Sequence, residues 1–336
     1  MSLGMVDLLR RDFLLEGEPA PVLVPGERAS GAGRLPCCIA IGAFDGMHRG
    51  HRDLLARARA DARERGVASI AVTFDPDPDR VVSHAPSPKL LSARDRIEAL
   101  RRSGVDGVLV VPFDAALASL DHAEFFERVI LPVLDVRSVH VGSDFRLGAG
   151  GRADVGVLRA WGAGRDIEVI GHDLVCDDGT PITATRIRGL VGAGALDAVE
   201  RELGRRYFVR GTVVRGRMQG SSMGFPTANI ELPSFVQRPR AGVYAGYAFD
   251  GRAAWPAAIN VGIPPTFEGE EGAAELEANI LGFSGDLYGA ELCILFASFL
   301  RNQRTFASEE ELVSTVRGNI EDVRELFGEG EVELVP

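Results

Sequence analysis

The stretch Gly42-Ala43-Phe44-Asp45-Gly46-Met47-His48-Arg49-Gly50-His51 decides how the chain is read. A short apolar run at 37–41 precedes it and a helical pattern over 51–65 follows it. The stretch is therefore a strand-to-helix turn. Glycines let backbone amides approach phosphate oxygens closely, and a helix N-terminus favours anions. His48 and His51 are three residues apart, so a helical start puts both imidazoles on one face, where they can donate to a phosphate losing its leaving group. The plain alternative is a packing turn with two solvated histidines. The pairing at a helix start favours the phosphate reading.

The same rhythm continues on either side. Apolar, β-branched runs at 67–74, 107–111, 138–142 and 167–171 alternate with helical patterns near 51–65, 92–103, 121–134 and 154–163. Alternating strands and helices predict a parallel sheet covered on both faces, with ligands beyond the C-terminal strand ends. After about residue 206 the pattern changes. Runs at 208–214, 242–249, 257–261, 274–281 and 292–299 are separated by Gly- and Pro-rich turns, which predicts an antiparallel barrel. Ser308 and Glu311 form a capping-box signature for a last helix, whose apolar stripe is Leu312, Val316, Ile320, Val323 and Phe327. The expected organisation is an N-terminal extension over 1–35, an α/β domain over 36–186, a helical connector over 187–205 and a barrel domain over 206–336.

Composition bounds the function. The 336 residues suffice for two domains, and 46% hydrophobic residues can fill two cores. A net charge of −11 with dispersed basic residues argues against a nucleic-acid surface. No apolar run approaches a membrane span, and the N-terminus has no basic segment leading into an apolar core, so a cytoplasmic protein is expected. Cys37, Cys38, Cys176 and Cys293 fit neither a disulfide framework nor a zinc site and read as reduced core thiols.

A second constellation lies in the barrel half. Gly211, Gly216, Gly220 and Gly224 lead into Phe225-Pro226-Thr227-Ala228-Asn229. A Gly-rich loop can cover nucleotide phosphates, and Thr227 and Asn229 offer neutral oxygens of the kind Mg²⁺ accepts. From composition alone, a hairpin loop ending in an Asn turn is the better reading, since Gly-rich loops are common turns.

The first constellation resembles the H-x-G-H signature of nucleotidylyltransferases. In its longer form, G-x-F-D-G-x-H-x-G-H, it is similar to the adenylyltransferase half of the bacterial bifunctional riboflavin kinase/FAD synthetase family. Val72-Thr73-Phe74-Asp75-Pro76, Val141-Gly142-Ser143-Asp144-Phe145-Arg146 and Thr185-Arg186-Ile187-Arg188 continue the resemblance in order. It implies that His48 and His51 contact ATP phosphates and that Gly42, Phe44, Asp45 and Gly46 shape the nucleotide turn. It places Asp144 and Phe145 in a flavin loop and Thr185 and Arg186 in a second ATP motif. The barrel half resembles riboflavin kinases through G-x-P-T-A-N, Gly242-Val243-Tyr244, Pro265-Thr266-Phe267, Leu287-Tyr288-Gly289 and Leu300-Arg301. It implies ATP contacts from Gly216, Gly220, Gly224 and Arg301, Mg²⁺ on Thr227 and Asn229, and Glu277 as the base. ATP, riboflavin, FMN and FAD are the implied ligands.

Some positions depart from that pattern. Asp77 stands where the family has His, Leu147 where it has Phe, Ala184 for Ser, Asn279 for His and Gln303 for Glu. Asp77 is expected to repel phosphate, and the neutral Gln303 to leave Arg301 loosely held. These departures leave open a paralogue acting on another small molecule, or a weakly catalytic flavin- or nucleotide-binding regulator.

Overall fold

The computed structural model describes residues 4–25, 33–215, 225–262 and 276–335. The chain divides into two compact units, Leu14–Ala184 and a second made of Met1–Phe13 with Thr185–Pro336.

The first unit is built on a parallel six-stranded sheet. Its strands are β1 (Val22–Leu23), β2 (Leu35–Ile41), β3 (Ala68–Asp75), β4 (Gly107–Pro112), β5 (Leu134–Gly142) and β6 (Glu168–His172). They lie in the order β1-β4-β3-β2-β5-β6. β2 and β3 carry near-continuous apolar runs because helices cover both faces of such a sheet. The chain winds outward from β2 to β3 and β4, then crosses back to place β5 on the other side of β2. The two loops with the most chemistry, after β2 and after β5, thus leave neighbouring strands at a switch in strand order. That is where open α/β sheets form ligand crevices.

Several elements differ from the sequence expectation. The segment before residue 36 supplies β1, which pairs with β4, and the helix Met5–Asp12, which belongs to the second unit. Neither has enough periodic length to be read locally. The single helix expected over 121–134 is instead His122–Phe125 followed by a wider turn over Phe126–Ile130. Pro132 cannot donate to a continuing helix, and β5 begins by Leu134. Cys37, Cys38 and Cys293 are buried as expected, but Cys176 is exposed. It sits in a hairpin of two short strands, β7 (Cys176–Asp177) and β8 (Thr180–Pro181), whose residues are exposed or half-buried.

The second unit is a closed antiparallel barrel. It comprises β9 (Tyr207–Val214), β10 (Ala228–Glu231), β11 (Gly242–Phe249), β12 (Ala253–Val261), β13 (Leu276–Ile280) and β14 (Glu291–Arg301). The order β11-β14-β9-β10-β13-β12 closes through a β11–β12 pairing, and β15 (Val332–Glu333) adds to β12. β10, which carries Asn229, was legible in the sequence only as a turn. Gly246 shows how tightly the barrel closes, since a Cβ there would lie 1.8 Å from the Leu295 carbonyl oxygen. The connector is two helices, Ala184–Ala193 and Leu196–Leu203, broken where Gly194 takes a φ of +73°. The last helix is Glu309–Phe327. Ser308 caps it by accepting from the Glu311 amide, but the Glu311 carboxylate reaches back to the Ala307 amide rather than completing the box on Ser308. Val323 is buried against Ala245 and Leu281, with Ile320 and Phe327 beside it.

Candidate active sites

In the first unit the turn after β2 is held from outside. Asp45 is buried, and its carboxylate accepts from the Leu90 and Leu91 amides at 2.9 and 3.3 Å. Arg96, also buried, donates to the Ala43 carbonyl at 2.7 Å and to the Phe74 carbonyl at the end of β3, also at 2.7 Å. Two ties from the 90–96 segment therefore fix the loop. Phe44 and Met47 adopt positive φ, 54° and 47°, as does Gly46 at 79°. Non-glycine residues persist in that region only where surrounding contacts over-determine them. Phe44 is fully buried, and a Cβ at Gly42 would press on its ring at 3.3 Å.

This frame places the histidines. His48 is the N-cap of the helix Arg49–Arg65, and its Nδ1 accepts from the His51 amide at 3.3 Å. Its proton in the neutral ring is thereby on Nε2. The two rings stack with centroids 3.6 Å apart. Gly50 leaves the room for this, because a Cβ there would lie 3.2 Å from the His48 ring. Burial pushes His48 down to about 4, and burial together with the His48 ring pushes His51 well below its ordinary value. Both are neutral at pH 7, each offering one N–H rather than a full positive charge. His51 Nδ1 is buried without a hydrogen-bond partner among the described residues, an unmet group of the kind a ligand can complete.

Both histidines line a cavity of about 560 Å³. Gly42, Phe44 and Asp45 line it, as do Asp144, Phe145 and Leu147 from the loop after β5 and His172 from the end of β6. Phe145 is half-buried against the core and Asp144 is exposed. Thr185 and Arg186 open the helix Ala184–Ala193. Arg186 is ion-paired with buried Glu202, and the Thr185 hydroxyl accepts from Arg188. Their link to ATP stays with the resemblance.

The charge at Asp77 is compensated, contrary to the expected repulsion. Lys89, the single lysine of the chain, lies 3.0 Å from Asp77 and 2.5 Å from Asp79, and Arg96 approaches Asp77 at 3.9 Å. Asp77 also caps the short helix Pro78–Val82 by accepting from Asp79.

In the barrel unit the register sets the site. Asn229 on β10 pairs with Glu277 on β13, and Glu277 pairs in turn with Asn260 on β12. Directly opposed residues share a face, so Asn229, Glu277 and Asn260 form one polar row across three strands. Leu276 and Ala278 alternate with Glu277 into the core. Thr227 precedes β10 and is half-buried. Asn279 donates to the Pro226 carbonyl at 2.8 Å, fixing the chain just before Thr227. Gly216, Gly220, Gly224 and the Pro265-Thr266-Phe267 motif lie outside the described residues.

Arg301 is not loose, as the sequence had suggested. Its Nε donates to Asn319 on the last helix at 2.8 Å, and it stands over Phe306. Gln303 has a different task. Its amide nitrogen donates to the Val261 and Gly262 carbonyls at 2.9 and 2.7 Å, and to Asn260 at 3.2 Å. A carboxylate could make none of these bonds. Arg96, Asn260 and Asn319 carry no motif signal on their own. Only their distant partners reveal their roles.

Fold and sites together define an ATP-dependent transferase class, a nucleotidylyltransferase-type α/β unit in one chain with a flavokinase-type barrel. Residues 32–186 match the FAD synthetase family and residues 203–327 the riboflavin kinase family. The bifunctional riboflavin kinase/FMN adenylyltransferase of Pseudomonas fluorescens is 36% identical over 86% of this chain and 93% of its own length. That of Escherichia coli strain K12 is 33% identical over 87% and 93%. The chain belongs to the bifunctional riboflavin kinase/FMN adenylyltransferase family. A crystal structure described as a macrolide-efflux protein from Streptococcus pneumoniae is also similar, with a TM-score of 0.77 and 28% identity, covering 90% of this chain and 98% of that one. The efflux description belongs to that protein. Among the described residues here, no helix is long and apolar enough to cross a membrane.

Proposed function

We propose that the barrel phosphorylates riboflavin through Glu277, Asn229 and Thr227, and that the first unit adenylylates the FMN through His48 and His51. The observation that supports this most is the stacked, neutral, buried histidine pair at the strand-order switch, lining a cavity shared with Asp144 and Phe145. In the first reaction the ribityl 5′-oxygen attacks the γ-phosphorus of ATP, its proton passes to the Glu277 carboxylate, and ADP leaves. In the second an FMN phosphate oxygen attacks the α-phosphorus. The bond to the bridging oxygen breaks and pyrophosphate leaves. No protein nucleophile is needed, because FMN already carries the anion. His48 Nε2–H and the His51 ring stabilise the charge that develops on phosphate oxygens.

Magnesium fits the barrel site. Thr227 and Asn229 supply neutral oxygens, and the Glu277 carboxylate opposite Asn229 is left to act as the base. Mg²⁺ needs few protein ligands when phosphates and water complete its shell. When bound with ATP it would offset phosphate charge. Dependence on ATP suits the cytoplasm.

The full chain incubated with riboflavin, ATP and Mg²⁺ and analysed by chromatography should yield FMN and then FAD. His48→Ala with His51→Ala should cut FAD formation by about 100-fold or more while FMN still forms. Glu277→Gln should lower FMN turnover more than riboflavin affinity. Unchanged FAD synthesis in the double variant removes the histidines from the mechanism, and unchanged turnover in Glu277→Gln removes the base.

A further inference from the structure

Beneath the cavity wall lies a chain of titratable groups that the reaction above does not use. Asp61, on the helix Arg49–Arg65, accepts from Ser138 Oγ at 2.5 Å and from Arg65 Nε at 2.7 Å. His140 Nε2 lies 3.0 Å from the same Asp61 carboxylate. His140 Nδ1 lies 2.9 Å from His172 Nε2. Ser138 and His140 are on β5 and are buried. His172 ends β6 and lines the cavity. Parallel pairing of β5 with β6 brings the two histidines together, with their rings near-parallel at 10° and their centroids 5.1 Å apart, as an edge-to-edge hydrogen bond requires.

The proton positions along this chain follow from its fixed end. Burial tends to raise Asp61, but hydrogen bonds from Ser138, Arg65 and His140 outweigh it and hold the group below the usual carboxylate range. It is a carboxylate and can only accept. The single hydroxyl proton of Ser138 goes to Asp61, so His140 Nε2, facing the same oxygen, must carry a proton. His140 Nδ1 is then a lone pair, and His172 must donate to it from Nε2. Burial lowers His172, and His140 and Arg57 lower it further. Asp53 and Asp173 oppose them without reversing the direction, and Asp53 and Arg57 are themselves paired at 2.7 Å. The neutral ring of His172 therefore has an unprotonated Nδ1.

We propose that His172 Nδ1 accepts a hydrogen bond from a heteroaromatic N–H donor of the ligand in this cavity, and that Asp61 and His140 are positioning residues that hold it in the accepting tautomer. Two donors fit the chemistry. One is the 6-amino group of the adenine of ATP and the other is the imide N–H of the flavin ring. A 6-oxo purine would instead set a carbonyl lone pair against the Nδ1 lone pair. The site then discriminates by an unmet or repulsive pair, which is the strongest way a small site can discriminate. This inference rests on the adenylyltransferase reading for its ligands.

The test uses the full chain labelled with ¹⁵N-histidine. All six histidines lie between residues 48 and 172, so ATP held by the barrel does not place a histidine signal of its own in the spectrum. The His172 signals are assigned by their loss in His172→Gln. The expected result is an unprotonated Nδ1 in the free chain that shifts toward a hydrogen-bonded position on adding ligand. A shift with ATP but not with inosine triphosphate names the adenine amino group. A shift with FMN but not with N3-methyl-FMN names the flavin imide. A protonated Nδ1 in the free chain, or one unmoved by both ATP and FMN, overturns the proposal. In FAD-forming assays, His172→Ala should reduce one kcat/KM ratio, ATP over inosine triphosphate or FMN over N3-methyl-FMN, by about tenfold. Asp61→Asn can donate to His140 and reverse the relay, so it should reduce the same ratio while His172 stays in place. If both ratios are unchanged in His172→Ala, the idea fails. A parent chain that makes no FAD at all removes the adenylyltransferase reading instead, and the spectrum still decides the role of His172.

Discussion

His48 joins a helix cap to a buried, neutral imidazole, and its replacement by Asn separates the two roles. Burial holds the folded-state value near 4, against about 6.5 in an unfolded chain. Between those values the unfolded chain binds a proton that the folded chain refuses. The contribution of His48 to stability is therefore complete above pH 6.5 and lost as the pH falls toward 4. At roughly 1.4 kcal/mol per pH unit, the whole effect is about 3 kcal/mol. Asn can still accept the His51 amide, so His48→Asn should match the parent within about 0.5 kcal/mol at pH 7.5. At pH 4.5 the variant should be the more stable by about 2 kcal/mol. His51, His140 and His172 are shifted in the same direction and remain in both proteins, so the difference between the curves reports His48. Relief of His51 by removal of its neighbour adds to the difference with the same sign. Urea unfolding of the first unit can be followed through Trp161 in a Trp255→Phe background, since these are the two tryptophans of the chain. Curves for parent and variant that run parallel from pH 7.5 to 4.5 would refute the burial argument. FAD formation by the variant should fall at every pH.

Three further outcomes follow from particular contacts. Gly246→Ala forces a Cβ into the Leu295 carbonyl, so it should destabilise the barrel by about 2 kcal/mol or more and abolish FMN formation, read by thermal unfolding and by riboflavin turnover. Gln303→Glu removes a donor and sets a carboxylate against the Val261 and Gly262 carbonyls and Asn260. It should cost about 2 kcal/mol at pH 7 and lower riboflavin phosphorylation, and a gain in either would contradict the assigned bonds. Lys89→Met leaves Asp77 and Asp79 without their shared cation. Breaking such a buried pair should cost about 3 kcal/mol, measured by urea unfolding through Trp161 at pH 7, and a variant as stable as the parent would contradict the pairing.

Local reading of the sequence carried the outline of this protein far. The apolar runs and the Gly-His turn identified a strand leading into a phosphate-binding helix start, because periodicity and glycine placement are properties of a few consecutive residues. The loss of that rhythm after residue 206 marked the barrel for the same reason. His48 and His51 are three apart in sequence and stack in space, so their pairing needed only one helical turn. What the sequence could not reveal is whatever depends on which strands become neighbours. Asp77 looked like an uncompensated charge until the fold set Lys89 and Arg96 beside it. Gln303 looked like a lost carboxylate until its amide was seen holding the end of β12. Asn229 and Glu277 are 48 positions apart and share a face only through the β10–β13 register. Asp61, His140 and His172 come from one helix and two strands, and no spacing rule joins them. Hydrogen bonds act over about 3 Å, and such distances between remote residues are set by long-range strand pairing and packing, which the tertiary structure alone decides.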